Sequence, residues 1–165
     1  MGKKLGWIWF ILLTVLLAYF YLEMGGLPDR LAVHFDINGN PNGFQTKSAF
    51  VGTFPLFVLL INAIMAVLCL ALKKIPIRFI NAPWKNYWSS TTERMIRLNG
   101  RMLSLMGWVG LFVNIVFLFA VHAIVQANSQ ETRFYIPFNA GVFGILVLSF
   151  FFLGALFLLF RPPGD

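Results

Sequence analysis

The sequence describes an all-α integral membrane protein with four spanning helices. Three features say so: the scarcity of charge, four long apolar runs, and a lopsided distribution of basic residues. Of 165 residues, 59% are hydrophobic and only 12% are charged, and the mean hydropathy is +0.77. A soluble domain of this size needs more polar surface than that composition supplies. Crossing the hydrocarbon core takes roughly 20 predominantly apolar residues, and residues 5–22, 48–72, 103–125 and 138–160 all qualify, with no Lys, Arg, Asp or Glu among them.

The first run, LGWIWFILLTVLLAYFYL, carries Trp7, Trp9, Tyr19 and Tyr21 near its ends, where amphipathic rings favour the headgroup level. Lys3 and Lys4 before an apolar run also suit a secretory signal. The run is long for a signal core, and YFYLEMGG offers no small-x-small cleavage site, so the segment is expected to be retained as a helix. Pro55 in the second run predicts a kink. Gly107 and Gly110 in the third, with Gly141, Gly144 and Gly154 in the fourth, permit close helix approach. Asn62 and Asn114 lie near the middle of the second and third runs, where two amides can hydrogen-bond between helices; a polar transport path is the alternative role.

Basic residues set the orientation. Lys73, Lys74, Arg78, Lys85, Arg94, Arg97 and Arg101 fall between the second and third runs, and with Lys3, Lys4 and Arg161 they make ten of the thirteen. The positive-inside rule therefore places both termini and the 73–102 segment in the cytoplasm, with residues 27–47 outside. The net charge of +7 and pI near 10 suit anionic lipid headgroups beside the spans. No nucleic-acid motif accompanies that charge, so nucleic acid is not an expected partner. Cys69, the only cysteine, reads as a small buried apolar residue.

The cytoplasmic segment begins with Lys73 and Lys74 at the membrane surface, followed by Pro76 and Pro83, which discourage continuation of the helix. The aromatic cluster Trp84, Tyr87 and Trp88 is expected to float at the interface. In SSTTE, Ser90 and Glu93 form a capping box, and Arg94, Arg97 and Arg101 follow on one face of a helix entering the third span. That face is either a lipid-facing basic stripe or a docking surface for a cytoplasmic regulator.

Outside, LPDRLAVHFDINGNPNGFQTK holds two Asn-Gly steps and one Asn-Pro step between LAVHF and FQTK. These are turn signals between short strands, so the loop is expected to be ordered, as a small β-hairpin or a compact loop. Arg30, His34, Asp36 and Lys47 are its candidate ligand-binding residues. Glu23, His34, Asp36, His122 and Glu131 all fall near this face, and His34 with His122 are the candidate metal ligands. No HExxH or CxxC spacing, catalytic triad, Walker or dinucleotide fingerprint is present. No catalytic residue, resident metal or cofactor is therefore expected.

The ordered set Leu27-Pro28, Val33-His34-Phe35, Gly39, Pro41, Gly43, Lys47 and Pro55 resembles the bacterial membrane family known as domain of unknown function 1648. NAPWKNYW, Asn81 to Trp88, is similar to the Asn-x-Pro-x-x-x-Tyr-Trp segment that follows in many members, which extends the likeness over residues 20 to 90. Ala32 departs from the pattern, which commonly places Ile and Pro before the valine. The domain also occurs at the amino-terminal end of larger SdpI-type immunity proteins. These protect a producing cell from its own secreted toxin and can hold a transcriptional repressor at the membrane. The resemblance thus implies immunity or sensing, with a toxin peptide or a cytoplasmic regulator as partner. A small transporter or transporter subunit is the alternative.

Overall fold

The computed structural model describes residues 3–72, 74–76, 79–129 and 137–162. The chain runs α1 (Lys3–Met24), β1 (Arg30–Phe35), β2 (Pro41–Thr46), α2 (Lys47–Leu72), α3 (Lys85–Trp88), α4 (Thr92–Asn128) and α5 (Phe138–Phe160). The helices α1, α2, α4 and α5 are each long and apolar enough to cross a membrane. Their outer faces carry exposed Ile8, Phe10, Leu56, Phe57, Phe150 and Phe151, a surface that a water-soluble monomer avoids.

Local chemistry sets the helix ends. Gly25 and Gly26 follow α1, and the chain turns there as Gly26 N–H donates to the Glu23 carbonyl at 3.3 Å and Leu27 N–H to that of Met24 at 3.4 Å. The cap of α4 is Thr91, whose hydroxyl accepts from Arg94 N–H at 3.2 Å. This corrects the Ser90–Glu93 capping box by one residue. Ser90 instead donates to the Tyr87 carbonyl at 2.8 Å, while Glu93 pairs with Arg97 at 2.5 Å. The arginine-bearing segment and the third apolar run form one uninterrupted helix of 37 residues. Likewise α2 continues through Pro55, which is buried.

The helix α4 is the shared partner of the bundle: α1, α2, α3, α5 and β1 all pack on it. At the hairpin end, Leu16, Phe20 and Met24 of α1 meet Phe50 and Val58 of α2 and Val121, Ile124 and Val125 of α4. The Phe20 ring lies 5.6 Å from Phe50 and 5.2 Å from Phe54. In the middle, Trp9, Cys69 and Leu111 form a smaller cluster. At the opposite end, Ile80, Ala82, Trp88, Leu98 and Phe160 close a third.

One polar knot joins α1, α2 and α4. The Asn62 amide donates to Asn114 Oδ1 at 3.0 Å, and the Asn114 amide returns the bond to Asn62 Oδ1 at 2.9 Å. Trp9 Nε1–H also donates to Asn62 Oδ1, at 2.6 Å. The second amide hydrogens go to the Val58 carbonyl at 2.8 Å and the Gly110 carbonyl at 3.0 Å. Trp9 is therefore 7% exposed, which corrects its expected place at the headgroup level. Gly110 makes the room: a Cβ there would lie 2.8 Å from Trp9 Cε2.

Amide pairs between membrane helices are worth about 0.6–2 kcal/mol in pairwise coupling. A double-mutant cycle of Asn62→Leu and Asn114→Leu, read by reversible unfolding in bicelles, is expected to return a coupling in that range. Additive effects of the two substitutions would show that the pair does not act as a unit.

Candidate functional site: the hairpin and its mounting

The strands β1 and β2 form a two-stranded antiparallel sheet in which Arg30 faces Thr46, Leu31 faces Gln45, Ala32 faces Phe44 and His34 faces Gly43. The turn is built by Asp36. Gly39 N–H donates to the Asp36 carbonyl at 3.0 Å, Asp36 N–H to the Asn40 carbonyl at 2.9 Å, and Gly39 sits at φ 84°. That left-handed backbone costs a glycine little. The first Asn-Gly step thus forms the tip. The second does not form a turn: Asn42-Gly43 lies within β2, at a register shift opposite His34. A Cβ on Gly43 would fall 2.8 Å from His34 Cβ, so the close strand approach explains this glycine.

The Asp36 residue is half-buried and its carboxylate is heavily bonded. It accepts from Asn40 N–H at 2.8 Å, Asn38 N–H at 2.9 Å and Asn40 Nδ2 at 3.2 Å. These bonds favour the charged form and hold the carboxyl below its ordinary 3.8; the backbone N–H of Asn40 is the largest cause and the Asn40 side chain the next.

The hairpin is fastened to the bundle by side chains that replace strand partners. Asn128, the last residue of α4, accepts from Ala32 N–H at 2.8 Å and donates to the Ala32 carbonyl at 2.9 Å. A side-chain amide therefore bonds the outer edge of β1 as a neighbouring strand would. Lys47 donates from Nζ to the Leu27 carbonyl at 2.7 Å, and its backbone N–H donates to Asp29 O at 2.7 Å. Leu27 and Leu31 are buried in the helical core, with Val33 and Phe35 packed against it.

Of the four sequence candidates, Asp36 and Lys47 are thus engaged in building and mounting the hairpin. Arg30 and His34 are exposed. The Arg30 guanidinium lies 4.8 Å over the Phe44 ring. His34 Nδ1 is hydrogen-bonded with Asn42 Oδ1 at 2.5 Å. Phe44 is exposed, and Ile37 at the tip is 90% exposed.

His34 and His122 have separate partners, since His122 Nδ1 lies 2.9 Å from the Tyr19 hydroxyl. Among the described residues, no three His, Cys, Asp or Glu side chains are grouped to hold a metal ion; Glu131 lies outside the described residues. Sequence reasoning missed Asn128 and the Tyr19–His122 pair. Their only signal was polar character at the end of an apolar helix.

At the other end of the bundle the aromatic cluster is a clamp on α5. Trp88 is 1% exposed and donates from Nε1 to the Phe160 carbonyl at 3.0 Å, at the end of α5. Arg101 lies 4.5 Å over the Trp88 ring and donates to the carbonyl of Leu159. Arg94 stacks 4.0 Å over Tyr87. Trp84 packs on Phe157 at 5.0 Å while holding φ 54°, an uncommon backbone for a bulky side chain. Lys73 and Arg78 lie outside the described residues.

The arrangement defines a class: four long apolar helices with a hairpin mounted between the first two. Residues 8–61, which run from α1 through the hairpin into α2, match the family model "Domain of unknown function (DUF1648)". The similar segment Asn81–Trp88 lies beyond the matched residues. No curated protein and no solved structure matches the chain.

Two predictions test the mounting. Asn128→Ala is expected to speed hydrogen exchange of the β1 amides at least tenfold, since a lost bond of about 1.4 kcal/mol is tenfold in opening, while exchange in the middle of α4 stays unchanged. The Asp36 pKa is lowered on folding, so its stabilisation is complete above the ordinary carboxylate range and disappears as pH falls through the lowered value. Protection of the Asn38 and Asn40 amides is therefore expected to persist at pH 5 and to fall as the pH is lowered below the ordinary carboxylate range, and in Asp36→Ala to be weak throughout.

Proposed function

We propose that the chain is a multi-pass protein of a bacterial cytoplasmic membrane whose hairpin recognises an extracytoplasmic peptide, in a toxin-immunity or sensing role. Four helices of spanning length support insertion. Seven Lys and Arg residues within 73–101, against Arg30 and Lys47 within 27–47, support a cytoplasmic location for both termini and an outward hairpin. Arg97, exposed near the start of α4 beside the half-buried Arg94, then suits anionic headgroups or a cytoplasmic regulator.

The observation that carries the recognition reading is a division of roles within the hairpin. Asp36, Lys47 and Asn128 hold it in place, whereas Arg30, His34, Ile37 and Phe44 stand exposed. A pre-ordered surface with a cation, a hydrogen-bonding ring and apolar groups suits an amphipathic peptide, because little ordering entropy is lost on binding. The match of residues 8–61 to a domain of unknown function, which by the resemblance described above also occurs in immunity proteins, points the same way. No catalytic residue is assigned. The transport alternative has less support, because both hydrogens and both acceptor positions of the Asn62 amide are used within the bundle.

Cells expressing the chain are expected to survive challenge by secreted membrane-active peptides better than cells lacking it. His34→Ala should lose that protection at an unchanged membrane level of the protein. Equal killing of all three strains would remove the immunity role.

A further inference from the structure

We propose that a cleft between α1 and α2 binds one acyl chain of an anionic phospholipid, with the headgroup held at Lys4 and Lys74. The helices α1 and α2 pack chiefly on α4 rather than on each other. They leave a cleft of about 570 Å³ whose walls include Trp9, Phe10, Leu13, Ala63, Ala66 and Leu70. Such a volume lies within the roughly 300–1,000 Å³ of typical small-molecule sites.

Asn62 is the polar side chain in the wall, and its amide bonds are already made to Trp9, Val58 and Asn114. A polar solute would meet no free amide there, whereas an alkyl chain meets a matching surface. Apart from Leu103 of α4 and Leu59 at the middle of α2, the lining residues belong to the first half of α1 and the second half of α2, so the cleft lies toward the end where Lys4 and Lys74 are exposed. Two ammonium groups at that level complement a headgroup phosphate. A second copy of the chain is the poorer occupant, because a two-fold contact through this cleft would set both lysines against their own copies.

Native mass spectrometry of the full chain, released from micelles containing equal phosphatidylglycerol and phosphatidylcholine, is expected to show one phosphatidylglycerol retained per chain. Ala66→Phe and Ala63→Leu fill the cleft from exposed positions and should each remove most of that retention, with helical circular dichroism unchanged. If either variant fails to fold, the other carries the test. Lys4→Gln and Lys74→Gln should each lower the preference for phosphatidylglycerol about fivefold while sparing the neutral lipid. Equal retention of the two lipids, undiminished retention in a folded cleft-filling variant, or a two-chain species in place of the lipid adduct would overturn the proposal.

Discussion

The reciprocal amide pair between Asn62 and Asn114 is the constraint on which the remaining geometry depends. In an apolar medium, helices gain little by burying apolar surface against one another, because the surroundings are equally apolar. Hydrogen bonds and close packing therefore decide which faces meet. Two amides that satisfy each other, with Asn62 also accepting from the Trp9 indole, fix the rotation and axial position of α1, α2 and α4 together. A slip of one residue in any of them would leave buried polar groups without partners, at about 1–3 kcal/mol each.

The same device recurs at several levels of α4. Tyr19 meets His122 one level further toward the hairpin. Asn128 then closes the edge of β1. At the opposite end, Arg101 of α4 and the neighbouring Trp88 hold the last carbonyl groups of α5. Apolar clusters fill the space between these polar contacts, so each contact sets a position and each cluster supplies the packing. The contrast with α5 is instructive: it lacks a central polar partner among the described residues, and the most apolar stretch of it is not buried.

The long helices were legible in the sequence because a run of some twenty apolar residues without charge has few alternatives. The hairpin was legible because Asn-Gly and Asn-Pro steps between short β-prone segments encode turns. The buried contacts of Trp9 and Trp88 were missed for a shared physical reason. An indole suits the headgroup level on general grounds, yet its N–H can equally be satisfied by a buried acceptor, and only the tertiary structure supplies Asn62 or the Phe160 carbonyl. Asn42-Gly43 misled in a similar way, since the glycine serves close strand approach rather than a turn. Lys47 read as a binding residue because a cation in a loop has no visible partner in sequence; its partner is the carbonyl of Leu27, twenty residues earlier.

The uninterrupted course of α4 has a mechanical meaning. At 1.5 Å per residue its 37 residues form a rod about 55 Å long. One tip grips β1 through Asn128, and the other carries Arg94 and Arg97. With no break between them, the hairpin and the arginines are in series on one stiff strut. A force that lifts or turns β1 is carried along the strut to the arginines, rather than being absorbed by a joint on the way.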